Sequence, residues 1–174
     1  MKSSIALVGF MASGKSTVGR ILAASLGKRL VSTDRLVETR AGKPISQIFE
    51  TEGETGFRRL ETEVIKELVD LRDSVIDCGG GAVLETANTA NLKQEAVIVY
   101  LTVSPEEVLR RLPRTDSRPL LMDGNRTKTI GELLERRRPL YENSADFTLD
   151  TSGLTPQEVA ARIFDWLKTH EGQG

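Results

Sequence analysis

A chain of 174 residues, 39% hydrophobic and with a formal net charge of −1, is long enough to bury one core but offers no overall field to attract nucleic acid or an anionic membrane. Its longest apolar runs are strand-length, short of the ~20 residues a membrane helix requires. The single Cys78 excludes an internal disulfide and the opening "MKSSIALVGF" lacks a signal-peptide pattern, so a cytoplasmic monomer is expected, with one domain over residues 1–174 and no nucleic-acid or membrane partner.

Ile5 to Val8 is a strand-length apolar run, followed by the stretch "GFMASGKST". Val18, Ile21, Leu22 and Leu26 then recur three and four apart, the spacing of a helix with one buried face. Arg29 to Ser32 reads as a second strand, and Phe57, Leu60, Val64, Ile65, Leu68 and Leu71 as another helical stripe. Val75 to Cys78 and Ala96 to Leu101 are further strands. Ser104-Pro105-Glu106-Glu107 is a capping box with Pro at the first helical position. Residues 112–126, "LPRTDSRPLLMDGNR", follow neither period and predict a lid loop. Phe147 to Leu149 is the last strand, and Thr155-Pro156-Gln157-Glu158 repeats the capping box. Most of these strands show no polar alternation, so they are expected to be covered on both faces. That pattern predicts an α/β fold, a parallel sheet of five strands flanked by helices.

Gly9-x-x-x-x-Gly14-Lys15-Ser16, between a strand and a helix, has the spacing of a phosphate-binding loop. Its glycines let successive backbone N–H groups turn inward around phosphate oxygens, Lys15 brings a point charge to the β/γ-phosphates, and Ser16 offers a hydroxyl to Mg²⁺. Ala12, Ser13, Gly14, Lys15, Ser16 and Thr17 are therefore candidate nucleotide contacts, with a nucleoside triphosphate and Mg²⁺ as the ligands. Hydrolysis, transfer to a small molecule and nucleotide sensing all stay open on this motif alone.

Three other stretches narrow the choice. "STDRL" sets Asp34 at the carboxyl end of the second strand, on the side where the phosphate loop opens. A carboxylate there either accepts a substrate hydroxyl's proton or caps the helix "RLVETR". "VIDCGGGAV" places Gly79, Gly80 and Gly81 in succession, as expected where something must approach the main chain closely. Arg58, Arg118 and Arg137 offer planar forks for carboxylate or phosphate, whereas Arg59, Arg136 and Arg138 read as solvated. The combination predicts an anionic, hydroxylated phosphate acceptor.

In order and spacing, "GFMASGKSTVGR", the "TD" before a helix, "FRRLE", "GGGAV", "RPLL" and "RxPLY" resemble the shikimate kinase family, from about residue 5 to residue 160. The resemblance implies a P-loop NTPase fold of the nucleoside-monophosphate-kinase type and transfer of the ATP γ-phosphoryl group to the 3-hydroxyl of shikimate, a step toward chorismate. It implies that Asp34 holds shikimate's hydroxyls, that Arg58 and Arg137 take its carboxylate, and that the Gly80 main chain lines the pocket. Arg118 would close with the lid onto the transferring group, making Lys15, Asp34 and Arg118 the catalytic set. Arg111 and the loop before Pro156 would lie by the adenine.

Two departures accompany the resemblance. The family commonly ends its second strand with Asp-x-Asp, where this chain has Ser32-Thr33-Asp34, and "TSGLTP" brings no Arg or Lys to the base. Asp77 is expected to replace the missing acid as an outer-shell partner of Mg²⁺; its alternative is a strand-end Asp bonded to nearby backbone N–H groups. His170 reads as a solvated tail residue, Val159, Ile163, Trp166 and Leu167 as a core stripe, and Cys78 as an inert buried thiol. The competing readings are a sugar-acid kinase and a nucleotide-binding module without catalysis.

Overall fold

The computed structural model describes residues 2–112 and 126–170. In chain order, β1 (Ser4–Val8), α1 (Lys15–Leu26), β2 (Arg29–Ser32), α2 (Thr33–Ala41) and α3 (Ile45–Glu67) lead into β3 (Ser74–Asp77). They are followed by α4 (Thr86–Glu95), β4 (Ala96–Thr102), α5 (Pro105–Arg111), α6 (Arg126–Ser144), β5 (Phe147–Asp150) and α7 (Pro156–His170). The strands form one parallel sheet in the order β2-β3-β1-β4-β5. The chain winds first to one side of β1 and then to the other. The loops after β1 and β3 therefore meet at the carboxyl edge, where open α/β sheets bind ligands.

Strand alternation splits the core into two layers. Ala6 and Val8 of β1 pack with Val64, Ile65 and Leu92 of α3 and α4, while Ile5 and Leu7 pack with Leu22, Val159 and Ile163 of α1 and α7. A third cluster fastens Phe10, just after β1, to Val108 of α5 and Ile130 and Leu134 of α6. Burial of each such aliphatic side chain contributes roughly 1.5–3 kcal/mol, which makes the platform beneath the β1 loop rigid. No helix among the described residues is long and apolar enough to cross a membrane.

The edge strands depart from the expectation of two covered faces. Arg29 and Leu30 of β2 and Thr148 and Asp150 of β5 are exposed, because each edge strand has one neighbour and less helix over it. α3 begins well before the Phe57 stripe and breaks at Gly53, whose φ of 69° lies outside helical space. At α7 both arms of the capping box form: the Thr155 N–H donates to the Glu158 carboxylate at 2.8 Å, and Thr155 Oγ1 accepts the Glu158 N–H at 3.2 Å. At α5 only Ser104 caps, since the Glu107 carboxylate turns instead to the charged forks of Arg110 and Arg111.

Candidate active site

α1 starts without a side-chain cap. Gly14 occupies the N-cap at φ 96°, leaving the helix's first N–H groups for an anion. Lys15 is nearly buried and donates from Nζ to the carbonyls of Gly9 (2.8 Å) and Phe10 (3.0 Å), while Ser16 and Thr17 are exposed. A cleft of about 490 Å³ opens beside this loop. Ala12, Gly14, Lys15, Ser16 and Thr17 share its wall with Asp34, Arg58, Asp77, Gly80 and Arg137. A second cleft of about 280 Å³ meets the first at Gly14 and Thr17 and is bordered by Ser13, Arg111, Thr151 and Pro156. All the expected site residues except Arg118, which lies outside the described residues, thus border one of two adjoining clefts.

Asp34 is not the cap of α2. Ser32 holds that position, its Oγ accepting the Arg35 N–H at 3.4 Å, and Asp34 faces the larger cleft. Burial raises the Asp34 carboxyl above the usual range; Lys15 opposes the rise, and Asp77 and Glu38 add to it. Across the cleft, Arg58 Nη1 donates to Glu61 at 2.6 Å and its guanidinium lies 5.0 Å from the Phe57 ring centre. Glu61 is fully buried, and its other oxygen, Oε1, has no hydrogen-bond partner among the described residues. Burial raises its carboxyl, with Arg58 pulling the other way. The "FRRLE" stretch contained Glu61 three residues after Arg58, yet nothing in the spacing distinguished it from an exposed helical pair. Removing one partner of such a buried pair costs about 3–5 kcal/mol.

The glycine run is shaped by the protein's own charged side chains. A Cβ on Gly79 would sit 2.6 Å from Glu61 Oε1 and 2.7 Å from Asp34 Oδ1, and one on Gly81 would fall onto the Arg58 guanidinium. A Cβ on Gly80 would make only ordinary contacts with the backbone of the phosphate loop, 3.6 Å from the Met11 nitrogen and 3.7 Å from the Gly9 oxygen. Two residues given no role by sequence reasoning hold the run in place. Buried Thr33 accepts the Gly79 N–H at 2.8 Å and donates to the Asp77 carbonyl at 3.4 Å. The Tyr141 hydroxyl donates to the Gly80 carbonyl, and Arg137 Nη1 approaches the same oxygen at 3.5 Å.

Asp77 stands opposite Ser32 in the β2–β3 register and opposite Leu7 in β1. Among the described residues its carboxylate has no hydrogen bond or ion pair, so the strand-end role bonded to backbone N–H groups is not the one it plays. No three His, Cys, Asp or Glu side chains group as a metal cage among the described residues. The exposed Ser16 hydroxyl and the Asp77 carboxylate are oxygen donors of the kind that suits a Mg²⁺ arriving with nucleotide phosphates. Arg111 borders the second cleft, but its guanidinium is a strut: it donates to the Ala12 carbonyl (3.0 Å), the Thr151 carbonyl (3.1 Å) and Glu107 (2.7 Å). Arg59, Arg136 and Arg138 are exposed, His170 stacks on Trp166 at the surface, and burial pushes the Cys78 thiol up, away from reactivity.

A phosphate loop on the central strand of a parallel sheet, beside a cleft that opposes a carboxylate to two arginines, defines a P-loop phosphotransferase for a small anionic acceptor. Comparison with known proteins refines that class. The shikimate kinase family model matches residues 11–168. A shikimate kinase of Thermodesulfovibrio yellowstonii is 45% identical over 160 residues, covering 92% of each chain, and one of Moorella thermoacetica is 45% identical over 168 residues, covering 97% of this chain and 96% of its own. The solved structure of shikimate kinase from Acinetobacter baumannii in complex with shikimate superposes with a TM-score of 0.94 at 38% identity, over 99% of this chain and 96% of that one. The chain belongs to the shikimate kinase family, ATP-dependent phosphotransferases acting on a hydroxyl group with Mg²⁺ as the usual companion of ATP.

Proposed function

We propose that this protein transfers the γ-phosphoryl group of ATP to the 3-hydroxyl of shikimate, giving ADP and shikimate 3-phosphate, within aromatic amino acid biosynthesis. The observation that carries the reading is the convergence of Arg58, Arg137 and Asp34 on one cleft beside the phosphate loop. Two planar cations suit a carboxylate, and one carboxylate suits a hydroxyl that must lose its proton. Ile45, Phe49 and Phe57 supply an apolar wall to the same cleft, which matches a carbocyclic ring. An open-chain sugar acid would leave hydroxyls unpaired against that wall, at a cost of roughly 1–3 kcal/mol each.

In the reaction, the acceptor oxygen bonds to the γ-phosphorus as the bond from that phosphorus to the ADP oxygen breaks, and the hydroxyl proton passes to Asp34. A carboxyl raised by burial holds that proton better than an ordinary Asp does. Lys15 and Arg118 stabilise charge on the phosphoryl oxygens, and Ser13, Gly14 and Thr17 hold the nucleotide phosphates from the loop. Mg²⁺ bound with the nucleotide neutralises phosphate charge; Ser16 would hold it directly and Asp77 through its waters. Arg111 and Pro156 flank the cleft taken by the adenine side of the nucleotide. The test is ADP release with ATP, Mg²⁺ and either shikimate, gluconate or a nucleoside monophosphate. Turnover with shikimate alone is expected, and background rates with shikimate beside turnover of another acceptor would overturn the reading.

A further inference from the structure

Tyr141 is fully buried in α6, with its ring stacked on Tyr100 of β4 at 4.8 Å and its hydroxyl spent on the Gly80 carbonyl. Arg137 lies one helical turn earlier on the same face, nearly as enclosed but bordering the cleft, with its guanidinium 5.8 Å from the Phe10 ring centre. Among the described residues no ion pair holds Arg137; its guanidinium bears on the Tyr141 hydroxyl beside it and reaches the Gly80 carbonyl only at a long 3.5 Å. Both side chains therefore compete for one carbonyl, and the tyrosine has it. Burial pushes the Tyr141 hydroxyl up to about 12, so it remains a protonated donor throughout the working pH range.

We infer that Tyr141 is a positioning residue: by occupying the Gly80 carbonyl and standing beside Arg137, its hydroxyl keeps the Arg137 guanidinium off that carbonyl and aimed into the cleft for the acceptor's carboxylate. Without that hydroxyl the Gly80 carbonyl becomes a buried acceptor in need of a donor, and the guanidinium already 3.5 Å away is the nearest one. A charged donor captured there is lost to the substrate. The inference rests on the proposed shikimate reading, in which Arg137 binds the carboxylate in ground and transition states alike.

The experiment is a cycle of wild type, Tyr141→Phe, Arg137→Ala and the double variant, measured for kcat and for both KM values. Phenylalanine keeps the ring and its stack on Tyr100. Loss of a charge-assisted contact predicts a shikimate KM raised about 10- to 100-fold by Tyr141→Phe, with the ATP KM and kcat within about threefold of wild type. On the Arg137→Ala background the same change should alter the shikimate KM by less than about threefold, because there is no guanidinium left to divert. KM does not depend on how much of a variant is folded, so partial misfolding leaves the comparison intact. An unchanged shikimate KM in Tyr141→Phe, or an equal penalty on both backgrounds, overturns the inference. A wild-type protein that does not turn over shikimate overturns instead the reading beneath it.

Discussion

Replacing Gly79 by Ala is the sharpest probe of how Asp34 is held. The added Cβ would lie 2.7 Å from Asp34 Oδ1 and 2.6 Å from Glu61 Oε1, where ordinary contact begins at 3.4 Å, so the carboxylates must retreat by about 0.7 and 0.8 Å. Glu61 has nowhere to go, being sealed from solvent and tied to Arg58 at 2.6 Å. Asp34, at the cleft wall, is the group that moves. Displacing a reacting group by about 1 Å costs roughly 10²-fold in rate, and overpacking of this kind costs about 1–3 kcal/mol, or about 2–12 °C in Tm for a chain of this size. Gly80→Ala is the comparison, since its Cβ makes only ordinary contacts of 3.6 Å or more with the backbone of residues 9–11; its kcat should fall far less. In Gly81→Ala the displaced group is Arg58, so the shikimate KM should rise more than kcat falls. ADP-release kinetics and thermal melts read all three. None of these glycines has a positive φ, so backbone freedom predicts no such order. Equal losses in Gly79→Ala and Gly80→Ala, or a Gly79→Ala kcat within threefold of wild type, would refute the packing argument.

Four more outcomes are expected. A carboxyl raised by burial, as in Asp34, stabilises the fold most below the ordinary Asp range and loses that contribution as pH rises through the raised value. Asp34→Asn should therefore melt higher than wild type at about pH 8, equal it at low pH, and be inactive; a lower melt at pH 8 would count against a strained carboxylate. Thr33→Val orphans the buried Gly79 N–H and should cost about 1–3 kcal/mol in denaturant unfolding, whereas Thr33→Ser should recover most of it. Asp77→Ala should raise the Mg²⁺ concentration for half-activation, and weaken Mn²⁺ binding to the ADP complex seen by paramagnetic resonance, by about tenfold or more, with Ser32→Asp restoring much of both. Unchanged metal binding would release Asp77 from that role. Arg118→Ala should lower kcat by about 10³ with little effect on the ATP KM, and the reverse pattern would make Arg118 a ground-state contact.

The parts of this molecule legible in its sequence are those whose chemistry is local. The phosphate loop states its purpose within eight residues, and five apolar runs became five strands at nearly the expected bounds. Asp34 was placed by the end of its strand, although the neighbouring Ser32 turned out to be the cap. What escaped depends on partners far along the chain: Thr33 with Gly79, and Tyr141 with Gly80, are 46 and 61 residues apart. The glycine run was read correctly as a place of close approach, but its occupants at Gly79 and Gly81 are the protein's own carboxylates and guanidinium, and only the fold brings them there. The break in α3 at Gly53 escaped because an isolated glycine in a helical pattern has no period to disturb.

The winding of the sheet also sorts the two clefts by chain segment. Among the described residues, apart from Arg137 and the phosphate loop itself, every wall of the larger cleft comes from residues 32–81, an uninterrupted passage that leaves β2 and returns through β3. The smaller cleft draws on residues 13–18, 110–111 and 151–159, with nothing from that passage. On the proposed assignment, most of the acceptor wall is thus carried on one passage of chain, with Arg137 outside it and the nucleotide grip on its flanks. Recombination between relatives with crossovers before Ser32 and after Gly81 would exchange most of the acceptor wall, Asp77 included, while leaving the phosphate loop and the smaller cleft intact, so new acceptors are accessible to this architecture largely through one inherited block.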